Sequence, residues 1–387
     1  MNATAPSSAQ GPLKGLKVVE FVGIGPGPHC AMMLADLGAD VLRIDRNGGN
    51  GWPNPVNDRG RAVLELDIRS DAGREACLDA LAHADVLIEG MRPGVMERLG
   101  LGPDTVLARN PRLIYGRMTG WGQDGPMART AGHDINYIAL SGALAAMGKP
   151  GEPASVPLNL VGDFGGGSML LAMGIMAALF ERSRSGEGQV VDAAIIDGVG
   201  TLMSFFDGLC GTGQLSLDRS DNLLGGSAPW YRSYLCSDGR EMSVGPLEPA
   251  FFAEMIRLLD LPEFADGQRP DRAQALEAAL TARFAEQDQA HWIALFDGSD
   301  ACVVPVLTLD EAKTHPQMRE RGAYIDVAGR MQAAPAPRFS RTPGLARADA
   351  GCDGETLIAR WKAGAWSQRF LGRSQAHESP CAREAGD

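Results

Sequence analysis

His133 and Asp163 are the residues of this chain best suited to moving a proton. The first stands in Gly132-His133-Asp134-Ile135-Asn136-Tyr137, and the second, thirty residues on, in Asn159-Leu160-Val161-Gly162-Asp163-Phe164-Gly165-Gly166-Gly167-Ser168. An imidazole can exchange a proton with a carbon acid near neutrality without a large penalty for either state. The carboxylate lies in a glycine-rich turn that opens an apolar helical run, where main-chain N–H groups point at whatever binds. A base on one face of a carbon, an acid on the other and fixed donors around an oxygen that gains charge form the set that stabilises an enolate beside a thioester. Each residue also has a plainer role. Asp163 is at the position of a helix-capping carboxylate. Burial would raise its pKa and a helix N-terminus would lower it, so its protonation stays open. His133 is one of six histidines, most of which in any protein are structural, and His29, in Pro28-His29-Cys30, competes with it. A structural role is expected for His29.

The elements that must hold these groups read as a wound α/β sheet. Short β-branched runs alternate with helical ones from residue 16 to 120, as in parallel strands joined by crossover helices. Strands are predicted at 17–21, 40–44, 62–66, 86–89 and 113–117, with helices at 30–37, 72–82 and 103–109. The run 168–180 is apolar on nearly all faces, which predicts a buried helix. A strand-like segment follows at 189–196, then an apolar stretch to Leu209. The expected organisation is a large Rossmann-like domain over 12–210, a linker at 211–226, a smaller α+β domain over 227–312, a return to the large domain over 313–363 and a polar tail at 364–387. In the small domain, Ser237-Asp238-Gly239-Arg240 signals a hairpin between 234–236 and 241–244, followed by helices at 249–259, 272–285 and 289–296.

Composition bounds the partners. A chain of 387 residues with 44% hydrophobic content can bury a large core. Its net charge of -12 argues against a nucleic-acid-coating surface. Seven scattered cysteines form neither a CxxC zinc site nor a disulfide framework, so free thiols in a reducing compartment are expected. Residues 1–10 are small and polar, unlike a leader sequence, and no apolar run of membrane-spanning length is apparent. A cytoplasmic location without membrane association is expected, and the last residues are not a Ser-Lys-Leu signal.

Gly23-Ile24-Gly25-Pro26-Gly27-Pro28 resembles a dinucleotide fingerprint, with Asp45 at about the right distance. Pro28 stands where the third glycine should be, and both prolines lack an N–H that a pyrophosphate would use. A tight strand-to-helix turn is the favoured reading. Arg43, Arg46, Arg92 and Arg98 fall near strand ends, where open sheets bind ligands, and guanidinium groups suit the phosphates of coenzyme A. No GxSxG elbow, GxxxxGK[ST] loop, HExxH pair or acidic calcium loop occurs, and no metal site is expected.

These motifs, with Gly15-Leu16-Lys17-Val18-Val19-Glu20, Ala39-Asp40-Val41-Leu42-Arg43-Ile44-Asp45-Arg46 and Pro335-Ala336-Pro337-Arg338-Phe339-Ser340-Arg341, closely resemble the α-methylacyl-CoA racemases of the family III CoA-transferase (CaiB/BaiF) superfamily. The resemblance covers most of the chain. It implies racemization of 2-methylacyl-CoA thioesters, with His133 and Asp163 catalytic and Glu248 paired with the histidine. It also assigns Arg46, Leu66, Asp67, Ile68, Arg69, Gly90, Met91, Arg92, Arg98, Gly132, Asp134, Ile135, Asn136 and Tyr137 to segments that contact CoA. Further implications are an interlaced homodimer and no cofactor beyond the CoA of the substrate. Two rivals are a CoA-transferase using Asp163 as nucleophile and an acyl-CoA binder without catalysis. Met169, Met173 and Met176 are candidates to line an acyl pocket, with core packing preferred.

Overall fold

A computed structural model describes residues 11–46, 48–49 and 52–364; the N-terminal stretch 1–10, Cys381 and the tail from residue 365 lie outside the described residues. Six parallel strands form the main sheet: β1 (Lys17–Phe21), β2 (Asp40–Asp45), β3 (Arg61–Glu65), β4 (Val86–Glu89), β5 (Ile114–Thr119) and β6 (Val190–Ala194). Their order is β3-β2-β1-β4-β5-β6. The sheet therefore changes direction between β1 and β4, and the crevice at the carboxyl ends of those strands is where such sheets bind ligands. Crossovers are made by α1 (Pro26–Asp36), α2 (Asp71–Leu81), α3 (Val95–Arg98) and α4 (Pro103–Arg109), and by the longer excursion through α5 (Asp134–Leu140) and α6 (Leu170–Ser185). Strands β1, β2 and β4 are almost wholly buried, which explains their continuous apolar runs.

Four local expectations differ from what is observed. The glycine-proline loop is not only a turn: α1 begins at Pro26, and both Pro26 and Pro28 sit in its first turn, where a missing N–H costs no helical bond. The segment 189–196 is strand only to Ala194, and α7 (Ile195–Gly211) starts directly after it. The glycine-rich turn around Asp163 is itself helical, a wide-turned segment Leu160–Met169 that runs into α6 and in which the N–H of Phe164 donates to Asn159 O at 3.2 Å. Together they make a helix, Leu160–Ser185, long and apolar enough to cross a membrane; Asp163 and the glycines interrupt that run in the sequence. Here Leu171, Ile175 and Ala178 pack into the core over the sheet. Finally, α6 is buried on one side only, since Met173 is 62% and Phe180 66% exposed.

Beyond α7, a three-stranded antiparallel sheet is formed by β7 (Arg232–Leu235), β8 (Glu241–Val244) and β9 (Val303–Pro305). With α8 (Pro249–Leu258), α9 (Ala273–Phe284) and α10 (Gln289–Phe296) it encloses its own core around Phe252, Phe284 and Trp292. The chain then returns to the large sheet. Leu345 N–H donates to Asp36 O at 2.8 Å, and Leu357 and Trp361, on the helix Gly354–Lys362, complete the core around Leu42 and Leu87. All six described cysteines are free.

Candidate active site

A cavity of about 1220 Å³ opens along the carboxyl ends of β1, β2, β3, β4 and β5. Its lining is supplied by the loops after those strands together with His133, Tyr137, Asn159 and Asp163. His133 caps the N-terminus of α5 in extended backbone conformation, and its N–H donates to Asn136 Oδ1 at 3.0 Å. The side chain of Asn136 is therefore occupied in starting the helix. Asp134, buried one residue later, accepts the main-chain N–H of Asp163 at 2.6 Å. This bond ties the element carrying the imidazole to the element carrying the carboxylate. Gly162 permits it, because a Cβ there would meet Asp134 Oδ1 at 2.2 Å.

The wide turn has a structural cause as well. A Cβ on Gly198 of α7 would lie 1.8 Å from Gly166 O, so the two segments approach with nothing but backbone between them. On its other side the turn meets α1, where a Cβ on Gly25 would fall 3.2 Å from Asp163 Oδ2. Asp163 thus stands between the opening of α1 and the start of α5.

Burial raises the pKa of Asp163 above the ordinary carboxylate value; Asn159, which donates through Nδ2 to Asp163 Oδ2 at 3.1 Å, opposes this, the buried Asp134 carboxyl adds to it, and His133 opposes it. Asp163 is not the cap of this helix, a position held by Asn159, but it stands in the first turn, where the helix N-terminus also favours the charged form. Burial also raises Asp134 and Tyr137. Tyr137 packs edge-on against Trp121 with ring centroids 4.7 Å apart, and its hydroxyl donates to Gly132 O.

Arg46, Leu66, Asp67, Ile68, Arg69, Gly90, Met91, Arg92, Gly132 and Tyr137 line the cavity. The Gly90-Met91-Arg92 loop is held from beneath: Met91 N–H donates to Glu89 Oε2 at 2.7 Å, and Glu89 pairs with Arg117 at 3.1 Å. Arg98, Asp134, Ile135, Asn136 and Glu248 do not contribute to the lining. Arg98 is an exposed residue ending α3. Asp134 is turned inward to its main-chain partner, whereas Ile135 and Asn136 are exposed on α5. Glu248 is exposed at the N-cap of α8. Arg43 is buried and held by Asp45 at 2.9 Å and Asp58 at 2.7 Å, so its charge is matched inside the protein. Met173 and Met176 are not among the lining residues either. Sequence reasoning missed the contribution of Trp52, Thr119, Trp121 and Thr130; no residue type there announces chemistry, and only their position after strands would have marked them. Among the described residues no cluster of His, Cys, Asp and Glu could hold a metal ion.

Residues 13–352 match the profile of CoA-transferase family III. The chain is 44% identical over 336 residues to "Alpha-methylacyl-CoA racemase" of Mus musculus, spanning 86% of this chain and 88% of that protein. Its identity to the Homo sapiens protein of the same name is also 44%, over 343 residues, with 86% and 88% covered. In three dimensions it is similar to a CAIB/BAIF family protein from Brucella suis, with a TM-score of 0.78 at 27% identity over 92% of this chain and 99% of that one.

Proposed function

The chain belongs to CoA-transferase family III, and from that premise we propose that it racemises 2-methylacyl-CoA thioesters by 1,1-proton transfer through an enolate. The observation that carries this reading is the imidazole of His133 and the carboxyl of Asp163 lining one cavity, their elements joined through Asp134. One of the two takes the α-proton, the C–H electron pair moves into the new C–C double bond, and the charge passes to the thioester oxygen. The other returns a proton to the opposite face. Each residue is base in one direction and acid in the other, which suits a carboxyl whose burial favours its protonated form. Main-chain N–H groups of the glycine-rich loops would hold the enolate oxygen, each well-placed donor being worth about 3 kcal/mol. Arg46, Arg69 and Arg92 supply guanidinium groups for the CoA phosphates. The reaction needs no cofactor beyond the CoA of its substrate.

The 44% identity to two proteins named racemase supports this over acyl transfer, as does His133, which has no task in a transfer through Asp163. Glu248 reaches no part of the cavity in its own chain, so we assign it to a homodimeric site in which Glu248 of the partner subunit orients His133. The exposed apolar side chains of α6 and α7, among them Met173, Phe180 and Phe205, are the surface such a dimer would cover. A cytoplasmic location fits the six free thiols.

The test is proton NMR of a single epimer of a 2-methylacyl-CoA in D2O with pure enzyme and no acceptor acid. Loss of the α-proton signal with appearance of the other epimer is expected. An unchanged spectrum, followed by CoA transfer once a free acid is added, would make Asp163 a nucleophile and the protein a transferase.

A further inference from the structure

His29 lies outside the cavity lining, yet it touches the turn that carries Asp163. Its Nδ1 is 2.7 Å from Ser168 Oγ, and Ser168 Oγ is 3.1 Å from Phe164 O. Ser168 is fully buried, and the imidazole also leans on the Phe164 ring at a centroid distance of 4.8 Å. A carbonyl oxygen only accepts, and a hydroxyl has one proton to give. Both contacts are hydrogen bonds only if Ser168 donates to Phe164 O and His29 donates to Ser168. The proton of the neutral ring therefore sits on Nδ1. Phe164 is the residue after Asp163, and its N–H makes the wide-turn bond to Asn159 O.

The imidazole is itself anchored. The carbonyl of Pro28 accepts from Arg61, whose Nε donates to the buried Glu20 at 2.9 Å. Burial, Arg61 and Arg59 together depress the pKa of His29, so the neutral ring is favoured. Protonation would add its proton at Nε2 and leave the Nδ1 bond in place.

We propose that His29 is a positioning residue for Asp163: the chain His29 Nδ1–H to Ser168 Oγ–H to Phe164 O fixes the wide turn against α1 and so sets where the carboxyl meets the substrate. This inference rests on Asp163 being one of two bases. It also gives the histidine of the glycine-proline motif a task that nucleotide binding would not.

The experiment compares wild type, His29→Leu, His29→Asn and Ser168→Ala with each epimer of a 2-methylacyl-CoA in D2O, measuring deuterium incorporation and inversion separately. His29→Leu keeps bulk and loses the donor, whereas His29→Asn retains an N–H at the Nδ1 position. Displacing Asp163 leaves His133 able to remove and return a proton on its own face. For the epimer that His133 deprotonates, His29→Leu should lower inversion on the order of tenfold to a hundredfold while exchange persists. For the other epimer, exchange and inversion should fall together. His29→Asn should restore the wild-type ratio, and Ser168→Ala, which removes the middle of the chain with little loss of volume, should reproduce the asymmetry if His29→Leu does not fold. Equal losses of deuterium exchange for both epimers, or unchanged ratios of exchange to inversion in His29→Leu and Ser168→Ala, would overturn the positioning role. Wild-type enzyme that incorporates no deuterium from either epimer would overturn the two-base reading itself, and the proposal with it.

Discussion

In the proposed racemization Asp163 serves in both protonation states: it is protonated, with His133 neutral, when it donates, and ionised, with His133 protonated, when it acts as base. Both working forms carry one proton on the pair, so the two directions share one bell-shaped profile of kcat/KM, falling at low pH where both groups are protonated and at high pH where neither is. Burial of Asp163 raises its part in that profile. Asn159→Ala removes the hydrogen bond that favours the charged form, so that part should move to higher pH in profiles of kcat/KM measured from each epimer. Replacing the groups that exchange the proton should cost more: His133→Ala and Asp163→Asn are each expected to slow racemization by about 10²–10⁴-fold from either epimer. The proton-moving residue types could be read from the sequence, because an imidazole and a carboxylate flanked by glycines are few in any chain. Side-chain direction was not legible. Asp134, Ile135 and Asn136 sit beside His133 in sequence, but a helix begins there and turns them away from the cavity.

At the scale of elements, the site depends on α5 meeting the wide turn through a carboxylate and a bare backbone. Gly162→Ala would set a Cβ 2.2 Å from Asp134 Oδ1, a clash expected to destabilise the fold by about 1–3 kcal/mol in urea denaturation. Asp134→Leu would leave the Asp163 N–H without its acceptor inside the protein, at about 1–3 kcal/mol, and should slow racemization along with it. The sequence marked this region as a glycine-rich opening to a helix, since glycine clusters are readable locally. The wide turn was not readable. Its cause is the approach of Gly198 to Gly166 and of Gly25 to Asp163, contacts between segments far apart in the chain. In the same way Pro26 and Pro28 read as part of a turn ahead of the helix, although the first turn of a helix holds both.

For the whole molecule, an interlaced dimer makes a distinctive prediction. If His133 works with Glu248 of the partner subunit, co-expressed His133→Ala and Glu248→Ala chains should form heterodimers with one doubly substituted site and one intact site. Activity above that of either variant alone is expected in the mixed preparation; none would place both residues in one subunit. Only the family resemblance implied this level; residue patterning did not, since α6 reads as apolar all round and periodicity cannot say which side meets its own sheet and which meets another chain. The order of the chain matters in a further way. Every residue lining the cavity falls between positions 21 and 195, whereas the core around Leu42 and Leu87 is completed by Leu357 and Trp361. During synthesis the residues of the site emerge early, but the part of one apolar face that lies over β2 and β3 stays uncovered until the last described helix leaves the ribosome. A chain ending before Asp353 would hold all the residues that line the cavity and should nonetheless accumulate as aggregate, so its soluble yield would measure how far this late helix guards the nascent protein.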